Sequence, residues 1–302
     1  MNILIIGKQG QLSRELQLEL AGDGQVTALG HTELDLADPE QVRQQIRRLR
    51  PELIINTAAY TAVDAAEGNR EQAFAVNATG PGVLAEEAAS LGVPLIHYST
   101  DYVFNGRKST PYTEQDEPDP LSVYGASKLA GERAIQSVGG QYLVLRTSWV
   151  YSLHGKNFLL TMQRLLQERD RLSVVADEIG SPTWAGTLAQ VTGQMVRAWR
   201  DGNGGPWGLY HLTSTGETSW YGFACAIADH LRKQGKTCAE VSPIASKDYP
   251  TAAQRPLNSR LDCSQLQRDW TLRLPDWEAA MQQCLATPRN LEPRAEAFRQ
   301  GA

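Results

Sequence analysis

Tyr124 and Lys128, in Tyr124-Gly125-Ala126-Ser127-Lys128, stand four residues apart, which puts both on one face near a helix start. A free tyrosine titrates near ~10 and is a poor acid–base group at neutrality. A lysine ammonium one turn away would stabilise the phenolate, lower that value and suit the pair to proton transfer. The spacing is common by chance, so it needs company. Ser99-Thr100-Asp101 provides some: polar side chains close the otherwise apolar run 94–99, at the edge where α/β sheets bind ligands. The plain alternative is an ordinary strand exit with a capping turn. A third element is Gly7-Lys8-Gln9-Gly10-Gln11-Leu12-Ser13, between the first apolar run and the first amphipathic stretch. Small residues there let the backbone approach a diphosphate, and a helix N-terminus adds free N–H donors and a positive dipole. A tight turn of no chemical purpose would look similar. Its place as the first turn of an alternating chain favours the phosphate cradle.

The elements that must position these groups alternate through the first half. Apolar runs at 2–6, 25–29, 53–56, 94–99 and 142–148 read as buried strands. Between them, 12–20 (Leu12, Leu16 and Leu20 at i, i+4, i+8), 39–50, 72–91 and 124–137 read as helices. This alternation implies βαβ units and a parallel sheet covered on both faces. The Pro-rich, charged loop 105–123 is long enough to be either functional or mobile. After Trp149 the rhythm is irregular: helices are expected at 158–168, 184–200, 219–234 and 277–285, with one more strand at 208–212. The polar stretch after Thr287 is expected at the surface or frayed.

Composition narrows the class. The 302 residues carry 29 Lys and Arg against 34 Asp and Glu, a net −5, which argues against nucleic acid as a partner. No apolar run nears the roughly 20 residues of a membrane span, and Met1-Asn2-Ile3-Leu4-Ile5-Ile6 reads as a strand rather than a signal peptide. Cys225, Cys238, Cys263 and Cys284 form no CxxC, so neither a zinc site nor a disulfide framework is expected. A cytoplasmic protein with reduced thiols is the expectation.

Longer blocks sharpen the reading. They are Asn56-Thr57-Ala58-Ala59-Tyr60-Thr61-Ala62-Val63-Asp64, Ser99-Thr100-Asp101-Tyr102-Val103-Phe104, Arg146-Thr147-Ser148-Trp149-Val150-Tyr151, and Arg255-Pro256 with Ser259. With the glycine loop and the Tyr/Lys pair, they make the chain resemble the extended short-chain dehydrogenase/reductase superfamily, most closely the dTDP-4-dehydrorhamnose reductases. The resemblance covers nearly the whole length. It implies a Rossmann-like, doubly wound parallel sheet with a smaller C-terminal substrate-binding lobe. Residues 1–150 would bind the dinucleotide, parts of 184–215 would return to that domain, and 151–183 with 216–302 would form the lobe.

The activity implied is reduction of the 4-keto group of dTDP-4-dehydro-6-deoxy-L-mannose to dTDP-L-rhamnose, a precursor of bacterial surface polysaccharide. Tyr124 would be the proton donor, Lys128 its partner and a ribose ligand, and Thr100 the hydroxyl that polarises the sugar carbonyl. Gly7, Gly10, Gln11 and Leu12 would hold the cofactor diphosphate. Gly30, Asp35 and Leu36 would lie on the adenosine side, and Ala59, Tyr60 and Thr61 on the route to the nicotinamide. Thr100, Asp101, Trp149 and Arg255 would contact the nucleotide sugar.

Three departures qualify this. Ser13 stands where the family usually has glycine. The second strand ends in Gly30-His31 with no acid, so a ribose 2′-phosphate would meet no repulsion there; NADPH is expected, with NADH accepted too. Mg²⁺ is not expected: Glu15 is retained, but Gly186 replaces the second expected glutamate, and a lone carboxylate is a poor Mg²⁺ site. Glu15 is then expected to be a solvated helix residue. A homodimer stays open. The competing readings are a nucleotide-sugar epimerase or dehydratase of the same fold, and a non-catalytic regulatory subunit, which would have no need of the Thr100/Tyr124/Lys128 set.

Overall fold

Every apolar run of the first half becomes a parallel strand in the computed structural model, which describes residues 1–287. The strands are β1 (Asn2–Ile6), β2 (Gln25–Leu29), β3 (Leu53–Asn56), β4 (Leu95–Thr100), β5 (Tyr142–Thr147) and β6 (Gly208–His211). They lie in the order β6-β5-β4-β3-β1-β2. Side chains alternate between two cores, as the pleat requires. Ile3, Ile5, Leu53, Ile55, Ile96, Leu143 and Leu145 face one way; Leu4, Ile6, Ile54, Leu95 and Val144 face the other. The chain order reverses between β1 and β3, so the crevice at their carboxyl ends is where such a sheet receives a ligand.

Among the described residues, eight helices of nine to sixteen residues cover these cores. They are α1 (Gln11–Glu19), α2 (Pro39–Leu49), α3 (Gly80–Leu91), α4 (Val123–Val138), α5 (Phe158–Glu168), α6 (Ala185–Arg200), α7 (Trp220–Lys233) and α8 (Trp277–Ala286). Leu12 and Leu16 of α1 pack with Leu188, Val191 and Met195 of α6 on one face of the sheet; α2, α3 and α4 contribute to the core on the other. A third core joins α5, α7 and α8 through Leu159, Phe223, Ile227, Trp277 and Met281.

Short strand pairs brace this second half: Arg171–Val175 with Glu240–Ile244, Val150–Tyr151 with Thr183–Trp184, and Ile179–Gly180 with Thr218–Ser219. Their brevity and polar residues leave no alternation long enough to read in the sequence. The loop 105–123 is pinned rather than loose. Phe104 stacks on Tyr112 at 4.2 Å, Tyr112 N–H donates to the Arg260 carbonyl, and His211 N–H donates to Glu114. The stretch expected after Thr287 lies outside the described residues.

The expected helix at 72–91 is interrupted. Arg70–Phe74 is α-helical, Ala75–Thr79 widens to a π turn, and α3 follows. Asn77 explains the position of the break. Its Oδ1 accepts from Tyr60 N–H at 2.8 Å, and its Nδ2 donates to the Tyr60 carbonyl and to Ser127 Oγ at 2.9 Å. One inward side chain thus holds the loop after β3 and the helix that carries Tyr124, as π turns near functional sites often do.

Gly131 of α4 makes that approach possible, since a Cβ there would sit 2.1 Å from the Asn77 carbonyl oxygen. In an ordinary helix interior Gly→Ala stabilises by about 1 kcal/mol. Gly131→Ala is expected to destabilise instead, by about 1–3 kcal/mol through overpacking. Equilibrium denaturation checks this, and an unchanged or raised stability would mean that the π turn yields freely.

Candidate active site

The loop between β1 and α1 is built for a close approach. Gly7 has φ +106°, and a Cβ on it would lie 2.7 Å from Thr57 Oγ1. A side chain at Gly10 would press on the Gly7 carbonyl at 3.0 Å. No side chain caps α1, so its first N–H groups point unpaired into the crevice. Above them opens a cavity of about 750 Å³. Gly7, Gly10, Gln11, Leu12, Gly30, Asp35, Leu36, Ala59, Tyr60, Thr61, Tyr124 and Lys128 all line it, spread over five separate loops and elements.

Gly155 and Lys156, not singled out from the sequence, also reach this cavity, as do His31 at the end of the second strand, Gln9 of the glycine loop and Thr147 of the 146–151 block. Gly155 and Lys156 come from the turn before α5. Asn157 ties that turn down by donating to Gln11 Oε1 at 2.8 Å, so the second half of the chain forms one wall. Gly155-Lys156-Asn157 carried a turn signal, but nothing local indicated that it would fold back on Gln11.

Thr100 ends β4, and its Oγ1 accepts from Tyr102 N–H and donates to Asp101 Oδ1 at 3.0 Å. Tyr124 begins α4, whose N-cap Ser122 accepts from Gly125 N–H; its ring meets Tyr102 edge-on at 5.7 Å. Burial pushes the Tyr124 hydroxyl up to about 12, the Thr100 hydroxyl opposes that shift, and the Asp101 charge adds to it. The expectation that Lys128 lowers Tyr124 is therefore corrected. Lys128 is buried at 2% exposure and donates to the Tyr98 carbonyl at 2.7 Å, with His97 Nε2 at 3.2 Å. Its nitrogen is drawn towards the sheet, and burial brings it down to about 8.

The nucleotide-sugar candidates divide. Trp149, in the left-handed region at φ +48°, stacks flat on Trp220 with ring centres 3.6 Å apart; a Cβ at Gly180 would strike its indole. Trp220 walls a second cavity of about 790 Å³, together with Phe158, Met162, Glu178, Lys247 and Arg255. Arg255 is already paired, to Asp64 at 2.8 Å, and so joins the C-terminal segment to the short helix Val63–Gly68 that follows β3. Trp220 Nε1 donates to Glu178 at 3.0 Å. Neither Trp220 nor Glu178 carried a recognisable signal in the sequence.

Two further expectations are corrected. The end of β2 is not free of carboxylates: Glu33 folds back to accept from Gly30 N–H at 2.7 Å and pairs with Lys8 at 3.2 Å. Glu15 is not a freely solvated helix residue; it is half-buried on α1, and burial raises its carboxyl. At Gly186 the Trp184 indole fills the place of a side chain, 2.3 Å from where a Cβ would be. Among the described residues no group of three or more His, Cys, Asp or Glu could hold a metal ion, and no described helix is long and apolar enough to cross a membrane.

A doubly wound parallel sheet, an uncapped helix behind a glycine cradle and a Tyr/Lys pair at the switch-point crevice define an oxidoreductase of the extended short-chain dehydrogenase/reductase class. Comparison with known proteins makes this specific. Residues 1–290 match the family model described as the RmlD substrate binding domain. The chain is 44% identical to the dTDP-4-dehydrorhamnose reductase of Burkholderia thailandensis, over 94% of this chain and 98% of that one. It is also 44% identical to the Salmonella typhimurium reductase, over 94% and 97%. The solved structure of the Bacillus anthracis reductase, in complex with NADP, superposes with a TM-score of 0.86 at 36% identity, covering 94% of this chain and 98% of that one. The chain belongs to the dTDP-4-dehydrorhamnose reductase family.

Asp101 generates a pH prediction. It is 3% exposed, its Oδ2 has no hydrogen-bond partner, and burial pushes its carboxyl up to about 7 against the opposing pull of Thr100 and Ser259. A raised folded-state value means the folded chain keeps a proton that the unfolded chain has lost above about pH 4. The resulting stabilisation is fully present below about pH 4 and is lost as pH rises through about 7. Asp101→Asn, which cannot ionise, is expected to melt a few degrees above the parent at about pH 8, with the gap closing towards about pH 5. Melting curves across that range check it; a gap independent of pH would show that Asp101 is not buried as a strained carboxylate.

Proposed function

We propose that this chain reduces the 4-keto group of dTDP-4-dehydro-6-deoxy-L-mannose with NADPH, giving dTDP-L-rhamnose. The observation that carries the reading is the meeting of Thr100, Tyr124 and Lys128 at the carboxyl end of β4, beside the cavity that starts at the glycine cradle. Membership of the reductase family supports the substrate class.

Gly7, Gly10, Gln11 and Leu12 hold the diphosphate at the α1 N-terminus, where free N–H groups offset its charge. Asp35 and Leu36 flank the adenine, and Ala59, Tyr60 and Thr61 lead to the nicotinamide ring. Bound there, a reduced nicotinamide supplies the hydride to C4. Oxyanion charge then develops on O4, where the Thr100 hydroxyl donates a hydrogen bond and the Tyr124 hydroxyl gives up its proton. A phenol raised to about 12 keeps its proton until that charge appears. Trp149, Asp101 and Arg255 hold the nucleotide sugar, with residues 151–183 and 216–287 as the substrate lobe. The water-soluble substrate and cofactor fit a cytoplasmic enzyme.

The direct test mixes protein, NADPH and the dTDP-4-keto sugar, follows the loss of nicotinamide absorbance and identifies the sugar formed. Tyr124→Phe is expected to lower kcat by about 10²-fold or more, with cofactor binding kept. Near-normal turnover would remove Tyr124 from the role of acid.

Cofactor choice gives a separate expectation. The Glu33 carboxylate at Gly30 repels a 2′-phosphate and occupies Lys8, so Glu33→Gln should free one cation and remove one anion. The kcat/KM ratio of NADPH over NADH is expected to rise about 2- to 5-fold, the scale of an exposed charge interaction. Gly30→Asp should move it the other way. Kinetics with both cofactors decide, and a Glu33→Gln ratio that falls would show that Glu33 does not face the ribose.

A further inference from the structure

Beneath Lys128 lies a buried chain of polar groups that the reaction above does not use. Asn56 closes β3 at 1% exposure and His97 lies inside β4 at 0%. Asn56 Nδ2 is 3.0 Å from His97 Nδ1, and His97 Nε2 is 3.2 Å from Lys128 Nζ.

The protons along this chain can be assigned. Asn56 Oδ1 accepts from Ala58 N–H at 3.1 Å, so the amide oxygen is committed to the backbone and the NH₂ faces His97. His97 Nδ1 must then be the acceptor, and in a neutral imidazole the proton sits on Nε2. Burial holds His97 well below the ordinary imidazole range, so the ring is neutral. The group presented to Lys128 is therefore an N–H. An ammonium has three donors and no lone pair, and would meet it donor to donor. A neutral amine has a lone pair to accept from His97 and a hydrogen to donate to the Tyr98 carbonyl, 2.7 Å away. Protonating Lys128 without clash requires His97 to move its proton to Nδ1 and Asn56 to turn its amide, which strips Ala58 N–H of its acceptor.

We propose that Asn56 and His97 are a positioning pair under Lys128, which hold its ε-nitrogen against the Tyr98 carbonyl and favour the neutral, proton-accepting amine. The ionisable groups facing that nitrogen agree with a delicate balance. They are His97 from β4 and Glu132 from its own helix, and Glu132 is itself held by Arg146 and Ser99. Burial already brings Lys128 to about 8, against the pull of Glu132. A hydrogen bond available only to the neutral amine pushes further in the same direction. The consequence for turnover rests on the reductase reading: Lys128, one turn along the helix from the proton-donating Tyr124, presents a neutral amine to the crevice instead of standing as a fixed cation.

The test uses the whole protein, and its spectroscopic readouts need neither substrate nor cofactor. In ¹⁵N-histidine-labelled protein, two-bond ¹H–¹⁵N correlations report the tautomer of His97, assigned by its disappearance in His97→Phe. Lysine ¹³Cε shifts, followed over about pH 6 to 10, report the titration of Lys128. Expected are an Nε2–H tautomer and a Lys128 midpoint below about 8. Asn56→Asp is nearly isosteric, keeps an acceptor for Ala58, and offers His97 a carboxylate. It should move the proton to Nδ1, raise the Lys128 midpoint by about one pH unit or more, and shift the pH profile of kcat/KM with it. An Nδ1–H tautomer of His97 in the parent protein overturns the proposal by itself, even if Asn56→Asp misfolds. So does a Lys128 midpoint that Asn56→Asp leaves in place. A protein that titrates as expected but forms no rhamnosyl product would refute the reductase reading and leave the pair intact.

Discussion

Two opposite charges are buried together under the site, Glu132 of α4 and Arg146 of β5, with side chains 1% and 3% exposed. Arg146 grips the carboxylate with two nitrogens, at 2.9 and 2.6 Å, and Ser99 of β4 donates to the same carboxylate. The Arg146 guanidinium lies 5.0 Å over the Phe104 ring, which fixes the start of the loop 105–123 as well. Such a pair adds little net stability, because desolvation offsets most of the Coulomb attraction. Removing either partner leaves a bare buried charge and costs about 3–5 kcal/mol. Its geometric effect is larger: it sets the rotation of α4 against β4 and β5. Tyr124 and Lys128 project from that helix, and Thr100 from the strand beside it.

Close approach is the second constraint, and glycine meets it from several directions. Gly131 admits the Asn77 π turn, Gly7 admits Thr57, and Gly125 lies so near the Tyr102 carbonyl that a Cβ there would be 2.1 Å from its oxygen. These contacts draw the loop after β3, the loop after β4 and the start of α4 into one crevice. Overpacking at any of them would move Tyr124 relative to Thr100 without touching either residue.

Inside the crevice, burial acts on acids and bases in opposite senses. It raises Tyr124 to about 12 and Asp101 to about 7, and lowers Lys128 to about 8. All three shifts favour the uncharged form. A site short of fixed charge is one in which a developing oxyanion depends on a few aimed donors, and each of those counts for more than it would in water.

Periodicity and spacing are local properties, and what they encode was legible in the chain. The strand–helix alternation of the first 150 residues, the glycine cradle before α1 and the four-residue step from Tyr124 to Lys128 each depend on neighbours within a few positions. The twelve residues singled out for the cofactor line a single cavity because a parallel sheet brings every strand's carboxyl end to one edge. What depends on distant partners was not legible. Lys128 meets His97 across 31 positions, Trp149 meets Trp220 across the second half, and Arg255 meets Asp64 across 191. The fold-back of Glu33 onto Gly30 is short in sequence, yet it depends on a turn conformation that no side-chain pattern announces. Local sequence thus determined which groups are present and which edge of the sheet they reach. Only the tertiary structure decided their charge states, because a pKa is set by burial and by whichever polar group the packed chain places against the side chain.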